Sequence, residues 1–346
     1  MQAIKTPHLS IIMPSHNVGS RVHANILNAA VMGNDDIEVI IRDNSGNAEK
    51  RAFLAAIQEK NCRILSVDEC PGPENTQKLV AEAKGEFVLF ICDDDYANGL
   101  MLPALTKKIA KVSGDPGYAG VAGMILVEND KNRARVVRFN ALSKETAAQR
   151  CKAMFDSVWP SVFQYSALRR SVLVDVWSFA STMPVFLTYH DLLMNGLALM
   201  HGRIAYLPRL FYHYNNGNWN NLRMHLDNDS RSFRAAGIDV SAVRLQWLIA
   251  ASEGARAFFS KYQRVRMPQQ ERTDLASYWF SGLYSTFVNS ASPRVPDGKF
   301  DRHAFALAVK WASTRQVKLD DLLVDIAEFY ALSSVELGQR YYDFWK

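Results

Sequence analysis

The stretch GEFVLFICDDDYA, residues 85–97, places three consecutive aspartates directly behind an apolar run. The run from Phe87 to Ile91 is typical of a strand that is buried on both faces of a parallel sheet. Neighbouring carboxylates in a partly desolvated place raise each other's pKa unless a cation or several hydrogen-bond donors compensate. Two interpretations follow: a divalent metal carrying a phosphorylated ligand, or a solvated acidic turn. Other segments of the sequence are needed to distinguish these two interpretations.

Short apolar runs alternate with longer amphipathic ones along the first half of the chain. This pattern indicates βα units on a largely parallel sheet. Two later apolar runs, joined by the polar turn NDKNR, predict an antiparallel hairpin instead. The predicted strands are 9–14, 37–42, 62–67, 86–91, 118–128 and 134–139, and the predicted helices are 20–32, 48–59 and 74–84.

The composition changes after about residue 220. Long amphipathic stretches at 241–262, 269–289, 303–314 and 319–345 carry no strong strand signal and predict a helical region. We therefore expect a first domain over residues 1–225 and a helical C-terminal region over 226–346. The second region is expected to serve oligomerisation, or docking to an acceptor or a membrane.

Charge and cysteine content restrict the protein's surroundings. A net charge of +5, from 40 basic and 35 acidic residues, is a weak pointer to anionic partners and does not indicate nucleic acid. Four cysteines without a CxxC pair favour reduced thiols in the cytoplasm. No signal peptide and no apolar run of about 18 residues is evident, so no spanning helix is predicted. Contact with the inner face of the membrane through basic and aromatic residues stays open.

Polar residues follow each of the first three predicted strands. They are PSHN at 14–17, RDNSG at 42–46 and CPGPEN at 70–75. Open α/β sheets bind ligands at the carboxyl ends of their strands, so these segments predict a binding site. The chain has neither GxxxxGK[ST] nor GxGxxG after a strand. A bound diphosphate would therefore need another source of positive charge, which aspartates holding a metal can supply.

Three segments carry a family resemblance: LSIIMPSHN, IEVIIRDNSG and ENTQKLVAEAKGEFVLFICDDD. In this order and spacing they resemble the family 2 inverting glycosyltransferases, and the later YHDLLMNGLALMHGRIAYLPRLFYHYNN is similar to a further segment of that family. The resemblance covers roughly residues 8–216. It implies an α/β fold of the GT-A type and metal-dependent transfer from a UDP-sugar to a hydroxyl of a glycan or lipid-linked acceptor. A bacterial surface-polysaccharide enzyme fits this pattern.

The resemblance also implies a donor site. Asp43 would accept a hydrogen bond from the uracil N–H, and Asp93 would contact ribose or sugar hydroxyls. Alternatives remain at this point, because Asp43 also fits a turn-stabilising role and helix starts commonly carry residues such as Asn75 and Lys78. The implied nucleotide-binding and donor-binding residues are Pro14, Ser15, His16, Asn17, Asp43, Asn75, Lys78, Asp93 and Asp94.

The implied metal motif departs from the family's usual Asp-x-Asp. Its first position is Cys92 and its last is Asp94, so Asp94 is the predicted ligand of Mn²⁺ or Mg²⁺. Asp95 would share the metal or orient the loop. Loss of the first carboxylate predicts a weaker metal site. His213 falls where some relatives carry a group near the diphosphate, although a histidine between two tyrosines is also typical of a structural role.

Inverting transfer requires a base for the acceptor hydroxyl. Asp191 matches the second acid of the family's Glu-Asp pair and is the predicted base, while His190 occupies the first position and is assigned to acceptor binding. Thr188 and Asp191 also have the spacing of a helix-capping pair. Trp159 is predicted either to stack on an acceptor sugar or to be buried.

Two other functions compete with this one. A sugar-1-phosphate nucleotidyltransferase would begin with a glycine-rich basic loop after its first strand, whereas PSHNVGSR contains one glycine. A non-catalytic sugar-nucleotide or glycan-binding module would explain Cys92 and His190 as signs of a decayed site. Nucleotide binding without turnover of any donor would favour the module.

Overall fold

The computed structural model describes residues 7–68, 70–128, 134–157, 160–219, 222–265, 267–290 and 296–346. The chain forms two compact units. We call the first, Met1–Ser178 with Asn195–Asn218, the sheet unit, and the second, Phe179–Met194 with Trp219–Lys346, the helical unit. The division at residue 225 stays a prediction.

The sheet unit is built on one mixed β-sheet. Strand β1 (Leu9–Ser15) lies between its parallel neighbours β2 (Ile37–Asp43) and β4 (Phe87–Phe90), as the apolar runs predicted. The later strands β6 and β7 pair antiparallel, as the predicted hairpin requires. The strand order is β3-β2-β1-β4-β8-β6-β9-β5, with β7 beside β6. The bounds are β1 Leu9–Ser15, β2 Ile37–Asp43, β3 Cys62–Ser66, β4 Phe87–Phe90, β5 Tyr96–Ala97, β6 Tyr118–Glu128, β7 Ala134–Val137, β8 Ala167–Arg169 and β9 Arg203–Asn215.

Helices cover this sheet and supply its core. Ile12 of β1, Ile40 of β2 and Val88 of β4 pack against Leu79 and Val80 of the third helix in one buried cluster. Burial of such a cluster is the main favourable term in folding. The helices are α1 Ser20–Ala30, α2 Ala48–Ala55, α3 Gly72–Glu82, α4 Leu102–Ser113 and α5 Ala147–Phe155, and two more cross the limits between the units, α6 Arg170–Thr182 and α7 His190–Met200.

The helical unit packs around a buried helix, α9, which spans Gln246–Ala257. The indole Nε1 of Trp279 donates to the backbone oxygen of Ala250 at 3.1 Å. A Cβ atom added to Gly254 would lie 1.9 Å from the same Nε1, so only glycine permits this close approach. The helices of this region are α8 Leu222–Ala235, α9 Gln246–Ala257, α10 Gln269–Ser290, α11 Gly298–Ala312, α12 Leu319–Ala331 and α13 Val335–Trp345.

The predicted helical C-terminal region is thus present, with one difference. The stretch 319–345 forms two helices, because Ser334 begins a new one by accepting a hydrogen bond from the Leu337 N–H. Among the residues that the structure describes, no helix has the length and apolar character needed to cross a bilayer.

Candidate functional site

The strand order brings three polar strand ends to one edge of the sheet. Parallel pairing aligns Ser15 at the end of β1 with Asp43 at the end of β2, and β4 ends on the other side of β1. The loop after β1 therefore lies between Asp43 and the acidic run that follows β4. This is the edge at which open α/β sheets bind ligands.

Asp93 holds the loop that follows β1. Its Oδ2 accepts hydrogen bonds from the Ser15 hydroxyl at 2.8 Å and from the backbone N–H groups of His16 and Asn17 at 2.9 and 3.0 Å. Its Oδ1 accepts from the Asn17 side chain at 2.7 Å. The carboxylate is 3% exposed, and these four donors compensate its burial. The conformation of the loop therefore depends on Asp93.

Lys50 supplies positive charge to the same place. Its Nζ lies 2.9 Å from Asp43 Oδ1 and 3.6 Å from Asp93 Oδ2, and it donates to the backbone oxygen of Asn17 at 2.6 Å. The lysine is 1% exposed, which is rare for this residue unless it is paired. Part of the charge that the acidic run requires thus comes from the protein itself. Lys50 was not predicted from the sequence, because a lysine in the first turn of a helix is usually exposed to solvent.

Asp43 has no exposed surface and takes part in the turn after β2. Its carboxylate accepts from the Ser45 hydroxyl at 3.1 Å, in addition to its pairing with Lys50. The neighbouring Arg42 donates to the Asn75 side-chain oxygen at 2.5 Å, and Asn75 donates back to the Arg42 backbone oxygen at 3.1 Å. Asn75 is therefore buried beside β2.

Lys78 lies elsewhere, on the exposed side of α3. It forms an i, i+4 pair with Glu74, at 2.5 Å. Such exposed pairs contribute little to stability. Lys78 is thus not part of the buried cluster around Lys50, and its amine can turn toward solvent.

Asp95, the last aspartate of the run, is buried and points at β9. Its Oδ2 accepts from the Tyr212 hydroxyl and its Oδ1 from the Asn215 N–H, both at 2.7 Å. Burial and, next, the charge of Asp94 raise the pKa of Asp95 to about 7. The raised pKa indicates that the protein only partly compensates the charge of this carboxylate.

Stacked aromatic rings support this end of the site. Tyr165 lies between Tyr212 and Phe90, with ring centroids 4.3 and 5.8 Å away. The Tyr212 hydroxyl also accepts from the Cys92 N–H at 3.1 Å, which fixes the turn that presents Asp94. These tyrosines come from β9 and the segment before β8, so nothing in the aspartate run itself predicted them.

Cys92, Asp94 and Asp95 form the candidate metal group, since their ligand atoms lie within 4.8 Å of one another. The two carboxylates fit a hard cation such as Mn²⁺ or Mg²⁺. The thiol does not fit such an ion, because sulfur is a soft ligand that suits other metals; burial also raises the pKa of Cys92 well above its ordinary value. The residues present therefore suit a hard divalent ion held by carboxylate oxygens.

The structure does not bring His213 to this group. Successive side chains of a strand point to opposite faces, so His213 faces away from the side on which Tyr212 bonds to Asp95. Its ring lies edge-on to Tyr96, and its Nδ1 is 3.8 Å from Glu128. The geometry favours the structural alternative over a metal-binding role.

The titration of Asp95 gives a testable dependence on pH. In protein treated with a chelator, we expect the free energy of unfolding to fall by about 2–3 kcal/mol between pH 5 and pH 8 on account of this residue. The sign follows because the folded state, with its pKa of about 7, keeps a proton that the unfolded chain releases near 3.8. Urea unfolding at both pH values measures the change.

The control for that experiment is Asp156→Asn, which removes an exposed carboxylate directly after α5. This variant should keep the pH dependence of the wild type, whereas Asp95→Asn should lose the part due to Asp95. Equal slopes in wild type and Asp95→Asn would contradict the assignment.

Asp191 and His190 belong to the helical unit and begin α7. Asp191 is half-buried in the first turn, where a helix dipole favours a carboxylate. The Thr188 hydroxyl donates to Asp229 at 2.6 Å. It is His190 that makes the i, i+3 bond, with its Nδ1 accepting from the Leu187 N–H at 2.6 Å. Its ring has no exposed surface, so the structure gives no support for direct contact between His190 and an acceptor.

The predicted acceptor residue Trp159 lies outside the residues that the structure describes.

Comparison with known proteins gives the following matches. A family model described as glycosyl transferase family 2 matches residues 10–177. The crystal structure of S. aureus TarS 1-349 aligns with a TM-score of 0.57 at 14% identity, over 96% of this chain and 89% of that one. Its complex with UDP-GlcNAc gives 0.53 at 13% identity, over the same shares. A longer S. aureus TarS structure gives 0.53 at 12% identity, over 97% of this chain and 55% of that one. No curated protein matches significantly.

These likenesses bear on the fold. At such low identity, shared structure shows architecture and not a common substrate. The predicted class, α/β of the GT-A type with a helical C-terminal region, is confirmed.

Proposed function

Because the chain carries a glycosyl transferase family 2 domain over residues 10–177, we propose that it transfers a sugar from a UDP-sugar donor to an acceptor hydroxyl with inversion at the anomeric carbon. The observation that carries this proposal is the buried ionic cluster in which Lys50 pairs with both Asp43 and Asp93, beneath the loop after β1. S. aureus TarS, which has a similar fold, was crystallised with UDP-GlcNAc, and this supports uridine as the nucleotide.

The proposed nucleoside site uses the loop after β1 and the turn after β2. Exposed residues His16 and Asn17, behind Pro14 and Ser15, are suited to lie along the nucleoside. Asp43 would accept from the uracil N–H in place of the Ser45 hydroxyl, which it now binds at 3.1 Å. Because Asp43 has no exposed surface, this exchange requires the turn after β2 to move aside. A base without that donor would leave a buried acceptor unmatched, which is the physical basis of selectivity for uracil.

Three further residues are proposed to bind the UDP-sugar donor, each on a different observation. Asp93 would share its oxygens between the loop and the ribose or sugar hydroxyls. Asn75 is engaged with Arg42, which favours an indirect role beside the nucleotide. The exposed Lys78 can leave Glu74 at little cost and turn to a phosphate.

We assign a divalent cation, Mn²⁺ or Mg²⁺, to Asp94, with Asp95 as a second ligand. Such an ion would neutralise the diphosphate as it becomes the leaving group. Hydrogen bonds from Tyr212 and Asn215 hold the Asp95 carboxylate in one orientation. Such bonds from neighbouring residues commonly orient the side chains that coordinate a metal.

Asp191 is the proposed catalytic base. The acceptor hydroxyl gives its proton to the Asp191 carboxylate while its oxygen forms a bond to the anomeric carbon. The bond from that carbon to the diphosphate oxygen breaks on the opposite side, and UDP leaves with the electron pair. Asp191 is half-buried and lies in the first turn of α7.

The remaining proposals concern the acceptor and the surroundings. We propose a glycan or lipid-linked acceptor in polysaccharide synthesis, with Trp159 stacking on a sugar. The enzyme would act in the cytoplasm, with peripheral contact to the inner face of the membrane. Residues 226–346 would provide oligomerisation or docking, as the helices that the structure describes there offer surface for either.

An assay of UDP release tests the proposal. We expect the wild type to release UDP from one or a few members of a UDP-sugar panel in Mn²⁺ or Mg²⁺, and to slow strongly with a chelator. Nuclear magnetic resonance of the product should show an inverted anomeric configuration. UDP binding without release from any donor and acceptor pair would favour a binding module instead.

Asp94→Asn is expected to weaken UDP binding in Mn²⁺ by at least about tenfold, because the ion loses one of its carboxylate ligands. Binding in chelator should stay as weak as in the wild type. Calorimetry under both conditions measures this. The control Asp156→Asn removes an exposed carboxylate directly after α5 and should leave both affinities unchanged. If Mn²⁺ raised the UDP affinity of Asp94→Asn as much as that of the wild type, the assignment of the metal to Asp94 would be wrong.

A further inference from the structure

A buried pair in the helical unit joins the start of α7 to the middle of α9. His190 Nε2 lies 2.7 Å from Glu253 Oε2, and the two residues are 0% and 1% exposed. The Tyr189 hydroxyl donates to the same carboxylate oxygen at 3.0 Å. Buried carboxylates are uncommon and costly unless donors compensate. The pair is therefore a candidate for a specific role beside its neighbour Asp191.

The hydrogen bonds fix the state of the imidazole. Nδ1 accepts from the Leu187 N–H at 2.6 Å, so this nitrogen carries no proton. The proton is then on Nε2, which donates to Glu253. Both ring nitrogens are engaged, one with the backbone before α7 and one with α9. The ring cannot turn without losing a bond.

Three tyrosines surround the carboxylate. Burial and, next, the negative charge of Glu253 raise the pKa values of Tyr189, Tyr330 and Tyr341 well above the ordinary value. All three hydroxyls thus keep their protons, and that of Tyr189 donates to the Glu253 carboxylate. The environment is polar and closed to water, which strengthens the hydrogen bond from His190.

The helix that carries Glu253 is itself held in place. Trp279 of α10 donates to Ala250 and lies against Gly254, the residue after Glu253. The segment before α7 is also fixed, since Arg340 of α13 donates to the Pro184 oxygen at 3.0 Å. The position of His190 is therefore set by packing on both sides.

We propose that Glu253 and His190 are positioning residues for Asp191. His190 is the first residue of α7 and Asp191 is the second, so the direction of the Asp191 side chain follows from the orientation of that first turn. The buried pair holds the turn from outside the helix. This inference rests on the proposed function, in which Asp191 is the base.

Kinetics of two Glu253 variants test the inference. Glu253→Leu removes the acceptor and is expected to lower kcat by about 10–100-fold without a change in the donor KM. Glu253→Gln keeps a carbonyl oxygen for His190 and should recover most of that loss. The control Phe287→Leu weakens the core of α10 without touching the pair, and it should keep the wild-type kcat at a temperature where it is folded.

A loss of kcat in Glu253→Leu no larger than in Phe287→Leu would overturn the inference, and so would equal losses in the Leu and Gln variants. A second measurement does not need activity. Nitrogen-15 nuclear magnetic resonance of the wild type should show the His190 ring as the neutral Nε2–H tautomer at neutral pH. A proton on Nδ1 would overturn the inference. No transfer by the wild type would remove the proposed function and this inference together, whereas an active wild type with an unaffected Glu253→Leu removes the inference alone.

Discussion

Asp191→Asn is expected to lower kcat for sugar transfer by about 10²–10⁴-fold, the usual contribution of a general base. The asparagine has nearly the same shape but cannot accept the proton of the acceptor hydroxyl. The affinity for UDP should not change, because the residues proposed to bind UDP belong to the sheet unit. Steady-state kinetics together with calorimetry of UDP binding measure both quantities.

Glu328→Gln is the matched control for this substitution, since it removes an exposed carboxylate from α12 of the same unit. We expect it to keep full activity. Equal transfer rates for wild type and Asp191→Asn would remove the base assignment. A fall in UDP affinity equal to the fall in kcat would instead show that Asp191 contributes to donor binding.

Lys50→Met is expected to lower the free energy of unfolding by about 3–5 kcal/mol, the usual cost of removing one partner from a buried ion pair. Methionine fills a similar volume but leaves Asp43 and Asp93 without their shared cation. The loop after β1 also loses the bond from Lys50 to the Asn17 oxygen. UDP affinity should therefore fall by at least about tenfold. Urea unfolding and calorimetry measure the two effects.

The double variant Asp43→Asn with Lys50→Met separates charge from packing. Because one buried charge is removed together with its partner, we expect it to be more stable than Lys50→Met alone. Lys107→Met, at an exposed position on α4, is the control and should leave stability unchanged. A Lys50→Met protein as stable as this control would contradict the central place given to Lys50.

Much of the sheet could be predicted from the sequence because its central strands are buried on both faces. β1, β2, β3 and β4 begin within one residue of the predicted positions. The short strands β5 and β8 have two and three residues, too few to show a period. β9 continues well beyond the apolar segment RIAYLP, because pairing with β6 and β5 supplies its hydrogen bonds.

The candidate site was predictable only where it follows from strand ends. Parallel strands put Ser15, Asp43 and Asp93 at one edge, and their polar character was visible in the sequence. The contacts of Asp95 with Tyr212, 117 residues later, and of His190 with Glu253, 63 residues later, depend on tertiary packing. No local pattern encodes such pairs. The sequence suggested Thr188 and Asp191 as a capping pair, whereas the structure pairs His190 with Leu187.

The central claim is that the edge formed by β2, β1 and β4 binds a uridine nucleotide and its metal ion. A crystal structure with UDP and Mn²⁺ tests it most directly. We expect uracil within hydrogen-bond distance of Asp43 and the ion bonded to Asp94. A nucleotide bound elsewhere, with these carboxylates far from any ligand or ion, would contradict the account.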